Sequence, residues 1–248
     1  MIEKIITSIE ELIVALDTDN TGYTGPIWYR GQANKSWPLV PGYFRLSKAP
    51  SESTLIKQFR QNASMLIDKT PKASFDWLFL MQHYGVPTRL LDWSESPLVA
   101  LYFSIENHGH HSNTDAALWV LRPSELNKNA GINDGDEAFF IPSFEDSELE
   151  NYSVEILAQN SRNKLKPLAT IATRNNPRIQ AQHGVFTIHH HDRIALELVG
   201  DMTHIIKYII PNECKATISK QLSLLGIRKF QLFPELASIG DIIKGTLA

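Results

Sequence analysis

The chain has 248 residues, a formal charge of −3 from 24 Lys and Arg against 27 Asp and Glu, and 43% hydrophobic residues. That composition excludes disordered, collagenous and coiled-coil classes, and the length is ample for a real core. No apolar run reaches the roughly 18 residues a bilayer span needs. The opening Met1-Ile2-Glu3-Lys4 lacks the basic-then-apolar pattern of a signal peptide, and the lone Cys214 precludes an internal disulfide, so a cytoplasmic location with no membrane partner is expected.

Taken in chain order, residues 8–18 predict a helix. Ser8 stands at the N-cap of a capping box closed by Glu11, and Ile9, Leu12, Ile13 and Leu16 form one apolar face. Residues 27–30 predict a short strand ended by Gly31, because aromatic and branched side chains suit a pleated surface. The Pro-rich stretch 33–50 reads as a loop. Helices follow at 53–68 and at 75–84, the second opened by Ser74 and closed by Gly85. A loop over 86–96 leads to a helix that starts at Pro97 with Ser96 as its cap. Residues 116–121 predict a strand. The section 122–152 reads as an irregular excursion with short helices, and strand-like pieces follow at 168–173, 184–189, 194–199 and 204–210. A helix over 212–225, with Ile218, Leu222 and Leu225 inward, and a last short helix after residue 234 complete the chain. Helices come first and strands later, so the expected class is α+β. N-terminal helices would pack on a mixed, mostly antiparallel sheet in one compact domain spanning 1–248.

Charge is uneven along the chain: net −4 over residues 1–25, +4 over 26–104, −8 over 105–163 and +5 over 164–248. The three stretches richest in candidate chemistry all lie in the two basic segments. That favours an anionic ligand and makes the acidic section, about 122–152, a candidate surface insertion or lid.

The first stretch is Trp28-Tyr29-Arg30-Gly31-Gln32. Arg30 offers a fixed fork for a phosphate, Gly31 permits close backbone approach, and Trp28 or Tyr29 can stack on a flat ring. The alternative is a strand-end arginine paired with a core carboxylate. The second stretch, residues 80–104, interleaves His83, Tyr84, Thr88, Arg89 and Asp92 with Pro, Gly and Leu. Burial of Leu90 and Leu91 draws Arg89 and Asp92 inward, where they would either pair with each other or place Arg89 or His83 against an anionic ligand. The third stretch is 178–186. If it is extended, Arg178, Gln180 and Gln182 share one face ahead of Gly184.

Weaker candidates are the histidine runs at 189–191 and at 108, 110 and 111, which are not spaced to converge on a metal, so none is assigned. Glu197 lies among apolar residues, where a carboxylate must be paired or used. The chain has no phosphate-loop, dinucleotide-glycine or nucleophile-elbow motif.

Together these stretches resemble the FRG domain family, named for its (Phe/Tyr)-Arg-Gly element. That element is Tyr29-Arg30-Gly31-Gln32 here. The long match is Met81-Gln82-His83-Tyr84-Gly85-Val86-Pro87-Thr88-Arg89-Leu90-Leu91-Asp92-Trp93-Ser94, continuing through Ser96-Pro97-Leu98-Val99-Ala100-Leu101-Tyr102-Phe103. Residues 178–186, with Gln182 and Gly184, and the closing Leu225-Gly226-Ile227 and Leu232-Phe233-Pro234-Glu235-Leu236 look like later parts of the family, so the resemblance spans about 26–236. The family is met in bacteria, phages and mobile elements, which implies a setting in phage defence or a toxin system.

A Tyr-Arg-Gly at the end of an early strand is also similar to the first NAD-contacting element of some ADP-ribosyltransferases. That likeness implies a nucleotide cleft, with NAD as substrate rather than resident cofactor. ADP-ribosyltransferase-like or NAD-glycohydrolase-like activity would fall to Glu197 and His83. The Ser/Thr-rich strand usual in those enzymes is missing here. The other reading is a non-catalytic module for nucleic acid or protein, using the five Trp residues, all within 28–119, as a stacking surface. The common-site expectation is that Arg30, His83, Arg89 and Gln182 line one cleft.

Overall fold

A computed structural model describes residues 2–67, 70–106, 113–133, 135–159, 164–172 and 176–246. In chain order the elements are β1 (Ile2–Ile5), α1 (Ile9–Asp19), β2 (Trp28–Gln32), α2 (Gly42–Arg45), α3 (Glu52–Ala63), α4 (Ser74–His83), β3 (Leu90–Ser94), α5 (Pro97–Ile105) and β4 (Ala116–Leu121). They continue with α6 (Pro123–Asn129), α7 (Val154–Gln159), β5 (Leu168–Thr170), α8 (Pro177–Ala181), β6 (Gly184–Ile188), β7 (Ile205–Ile210), α9 (Lys215–Leu224), α10 (Lys229–Leu232) and α11 (Leu236–Thr246).

The strands form one seven-stranded sheet in the order β1-β7-β4-β2-β3-β6-β5. Only β1 and β7 run parallel, so the sheet is mixed and mostly antiparallel, in a single compact α+β domain as expected. All six residues of β4 are buried, which fits its unbroken apolar run Ala-Ala-Leu-Trp-Val-Leu. Side-chain alternation divides the core between the two faces. On one face, Tyr29, Leu118, Val120 and Tyr208 pack against α1, α5 and α9. Further along that face, Leu90, Phe186 and Ile188 pack against α3, α4 and α7. On the opposite face, Trp28, Leu91, Trp93, Trp119 and Leu121 pack under Leu39, Leu126 and Leu196.

Several local expectations are corrected. Ser8 does cap α1 by accepting from Glu11 N, but the Glu11 carboxylate reaches back to Thr7 N–H at 2.8 Å rather than to Ser8. The loop expected at 86–96 contains β3, a strand inside the sheet. Residues 178–181 lie in the helix α8 rather than in extended chain, because Asn176 caps its N-terminus and Pro177 suits the first turn. Residues 194–199 contain a 3-10 turn, Leu196–Leu198, in place of a strand. Leu225 is exposed, while Ile218 and Leu222 are buried. The edge strand β1 was not foreseen.

The acidic section is partly built into the molecule. Leu126, Leu149 and Tyr152 are buried, and the Asn127 amide brackets Ala169 of β5, donating to its carbonyl at 3.1 Å and accepting from its N–H at 2.7 Å. Among the described residues, no helix is long and apolar enough to cross a membrane.

Candidate functional site

The site begins with a parting of two strands. β2 pairs with β4 through all five of its residues, and β3 pairs with β6 through all five of its own. Between β2 and β3 the only register pair is Tyr29 with Ser94. Past it the strands diverge and leave a cleft of about 380 Å³. β2 and β3 form its floor, α4, α5 and α8 its walls, and Trp37 and Arg45 also line it.

Gly31 explains why the floor is so close to α5. A Cβ built there would lie 2.0 Å from Ala100 O and 2.5 Å from Ser104 N, so only glycine lets the strand and helix backbones meet.

Arg30 is the central charge. Its guanidinium donates to the Asp92 carbonyl, and its Nε is buried with no hydrogen-bond partner. Burial pushes its pKa down, the Asp92 charge supports the cation and Arg45 opposes it. A desolvated guanidinium with an unused donor, bordering an open cleft, is a place where an anion would gain strong hydrogen bonds.

The α4 wall presents Phe79, Gln82 and His83, spaced i, i+3 and i+4 on one face. Burial and the nearby Arg178 cation hold the His83 imidazole below its usual range, with Glu235 opposing, so the ring is neutral near pH 7. It therefore offers hydrogen bonding rather than charge.

On the α8 side, Arg178 lies 3.9 Å from the Glu235 carboxylate, and its guanidinium sits 4.7 Å over the Phe233 ring. Gln182 donates to Leu232 O at 3.0 Å, and its own carbonyl accepts from Ser94 Oγ at 2.7 Å. Glu235 also reaches within 4.0 Å of His83. The end of α10 and the segment after it thus tie His83, Arg178 and Gln182 together from behind.

The cleft brings together Tyr29, Arg30, Gly31, Gln32, His83, Asp92, Arg178, Gln182 and Gly184 of the expected site. Five others do not line it. Arg89 is buried with every guanidinium nitrogen engaged, Nε on Glu52 at 2.6 Å, one terminal nitrogen on His189 O at 2.7 Å and the other on Tyr152 O at 2.8 Å. The expected Arg89–Asp92 pair fails on parity, since residues three apart on a strand point to opposite faces. Trp28 is core. Thr88 is buried behind Gln82. Tyr84 is 65% exposed beyond the end of α4.

Glu197 accepts from Leu39 N at 3.0 Å and does not line the cleft. The common-site expectation therefore holds for Arg30, His83 and Gln182 and fails for Arg89. The stacking surface of five tryptophans is also corrected. Trp28, Trp77, Trp93 and Trp119 are buried, and Trp37 alone is exposed.

His189 and His190 are buried, and the run at 108, 110 and 111 lies outside the described residues. Sequence reasoning missed Gln82, Phe79, Phe103, Trp37 and Arg45 as lining residues. Helical spacing from His83 would have flagged Phe79, and spacing from Phe79 would then have flagged Gln82.

Residues 25–113 match the family model of the FRG domain, while no curated protein and no solved structure matches the chain. The matched stretch supplies β2, α4, β3 and α5, four of the elements around the cleft, so the similarity to the FRG domain falls on the part of the chain that builds most of the site.

Proposed function

We propose that the cleft binds a nucleotide, with NAD the leading substrate class and ADP-ribosyl transfer or NAD cleavage the reaction to test. The observation that carries this reading is the half-buried Arg30 side chain, which borders an open cleft with its Nε buried and unpartnered. A phosphate is the anion that best matches a guanidinium fork. The aromatic side chains of Trp37, Phe79 and Phe103 on the walls suit a flat base or nicotinamide ring. Breaking a glycosidic bond would develop positive charge on the ribose, which a carboxylate stabilises. Asp92 is the one carboxylate among the lining residues, so that role passes to it from Glu197.

The nucleic-acid or protein-binding alternative loses the tryptophan surface that motivated it. Thermal-shift measurements with NAD, ADP-ribose, AMP and inorganic phosphate, together with chromatographic detection of nicotinamide, test the reading. Stabilisation by the nucleotides is expected, with nicotinamide release if the site is catalytic. No shift with any nucleotide would refute the binding reading. A shift without release would restrict the cleft to binding.

A further inference from the structure

We propose that Asp92 is the specificity residue of the cleft. Its carboxylate would read a hydroxyl next to the phosphate held by Arg30, so the ligand class is a phosphorylated sugar with an adjacent hydroxyl. This deepens the nucleotide reading and rests on it.

The argument starts from the strand. Leu91 and Trp93 turn into the core on one face, which sends Asp92 to the other face, where it is exposed on the cleft floor. One carboxylate oxygen is held by a chain whose donor directions are forced. Leu90 N–H can only donate, and it gives its proton to Thr88 Oγ1 at 3.1 Å. The Thr88 hydroxyl proton then goes to Gln82 Oε1 at 2.6 Å. That fixes the Gln82 amide so that its Nε2 donates to Asp92 Oδ2 at 2.7 Å. Asp92 Oδ1 accepts no hydrogen bond among the described residues and remains for a ligand. Arg30 donates to the Asp92 main-chain carbonyl, so the cation and the oriented carboxylate stand side by side without consuming each other.

A ligand that satisfies both must carry an anion and, a short distance away, a hydrogen-bond donor. A bare phosphate satisfies Arg30 but meets like charge at Asp92. A deoxy ligand leaves the carboxylate desolvated and unpaired, the situation in which polar sites discriminate most strongly. Gln82 and Thr88 are positioning residues in this scheme.

The test is calorimetric titration of the full chain with AMP, 2′,3′-dideoxy-AMP, ribose 5-phosphate and inorganic phosphate. Wild type is expected to prefer AMP over the dideoxy analogue by about tenfold or more. Asp92→Asn should erase that preference while keeping the phosphate contribution. Thr88→Val should reduce the preference and Thr88→Ser restore it, a pattern that a loss of folding stability alone would not produce. Equal binding of AMP and the dideoxy analogue by wild type, or an undiminished preference in Asp92→Asn, would overturn the inference and leave the nucleotide reading standing. Absence of binding by every probe would overturn both. Ribose 5-phosphate binding as tightly as AMP would uphold hydroxyl recognition and identify a sugar phosphate as its source. Weaker binding would uphold it for a nucleotide.

Discussion

Arg30 and Arg89 sit in neighbouring strands or their margins, Arg30 half-buried at the cleft and Arg89 fully buried, and their surroundings assign them opposite jobs. Arg89 makes an ion pair with Glu52 and two further bonds to main-chain carbonyls. It is buried and does not line the cleft. Removing it would strand the Glu52 carboxylate, which is 7% exposed, so Arg89→Ala should cost about 3–5 kcal/mol of folding stability. Urea denaturation checks this, and a loss below about 1 kcal/mol would contradict the structural role.

The sequence around Arg89 could not reveal that outcome, because its partner lies 37 positions away. Arg30 was legible as a cleft-lining residue because Gly31 and the preceding aromatics describe its local setting.

His189 gives a second prediction at this scale. Its Nε2 donates to Ile194 O at 3.1 Å, its Nδ1 is buried without a partner, and burial pushes its pKa down to about 3. Burial lowers His204 as well. Below pH 6.5 the unfolded chain binds protons that these native rings refuse, so stability should fall as pH is lowered from 7 toward 4. Each ring contributes at most about 1.4 kcal/mol per pH unit. The urea midpoint measured against pH checks this, and a flat profile would contradict it.

At the scale of elements, helices that carry their own start signals were readable. Ser8 and Ser96 accept from the third residue onward as their spacing requires, whereas Ser74 is the first residue of α4 and Ala73 holds the cap position. β3 was not readable, because its Leu-Leu-Asp-Trp-Ser run lacks clean alternation. Asp92 faces a cleft, while the residues on either side of it face the core. α8 was misread because five residues give too short a window for a helical period.

The segment after α10 carries this scale's prediction. Its Glu235 carboxylate supports the protonated form of His83 against burial and the Arg178 cation. Glu235→Gln removes that support, so the His83 pKa should move further below its usual value. An NMR titration of the His83 ring checks the direction, and an upward shift or none would contradict the placement of the segment.

At the scale of the whole molecule, the fold turns a dispersed set of residues into one site. Tyr29 and Phe186 line the same cleft although the chain between them contributes most of the sheet. The charge pattern anticipated part of this, since the lining arginines come from the two basic segments and none of the acidic section's described residues lines the cleft. It did not anticipate the parting of β2 and β3, which depends on each strand being fully paired to a different neighbour. That parting exposes Arg30 to a ligand, and it is the architectural basis of the proposed activity.

The most direct test is calorimetric titration of NAD and AMP into wild type and Arg30→Ala, with circular dichroism to confirm that the variant is folded. Wild type should bind and the variant should lose at least about tenfold in affinity, about 1.4 kcal/mol, with its spectrum unchanged. Equal affinity in a folded Arg30→Ala variant would contradict the account.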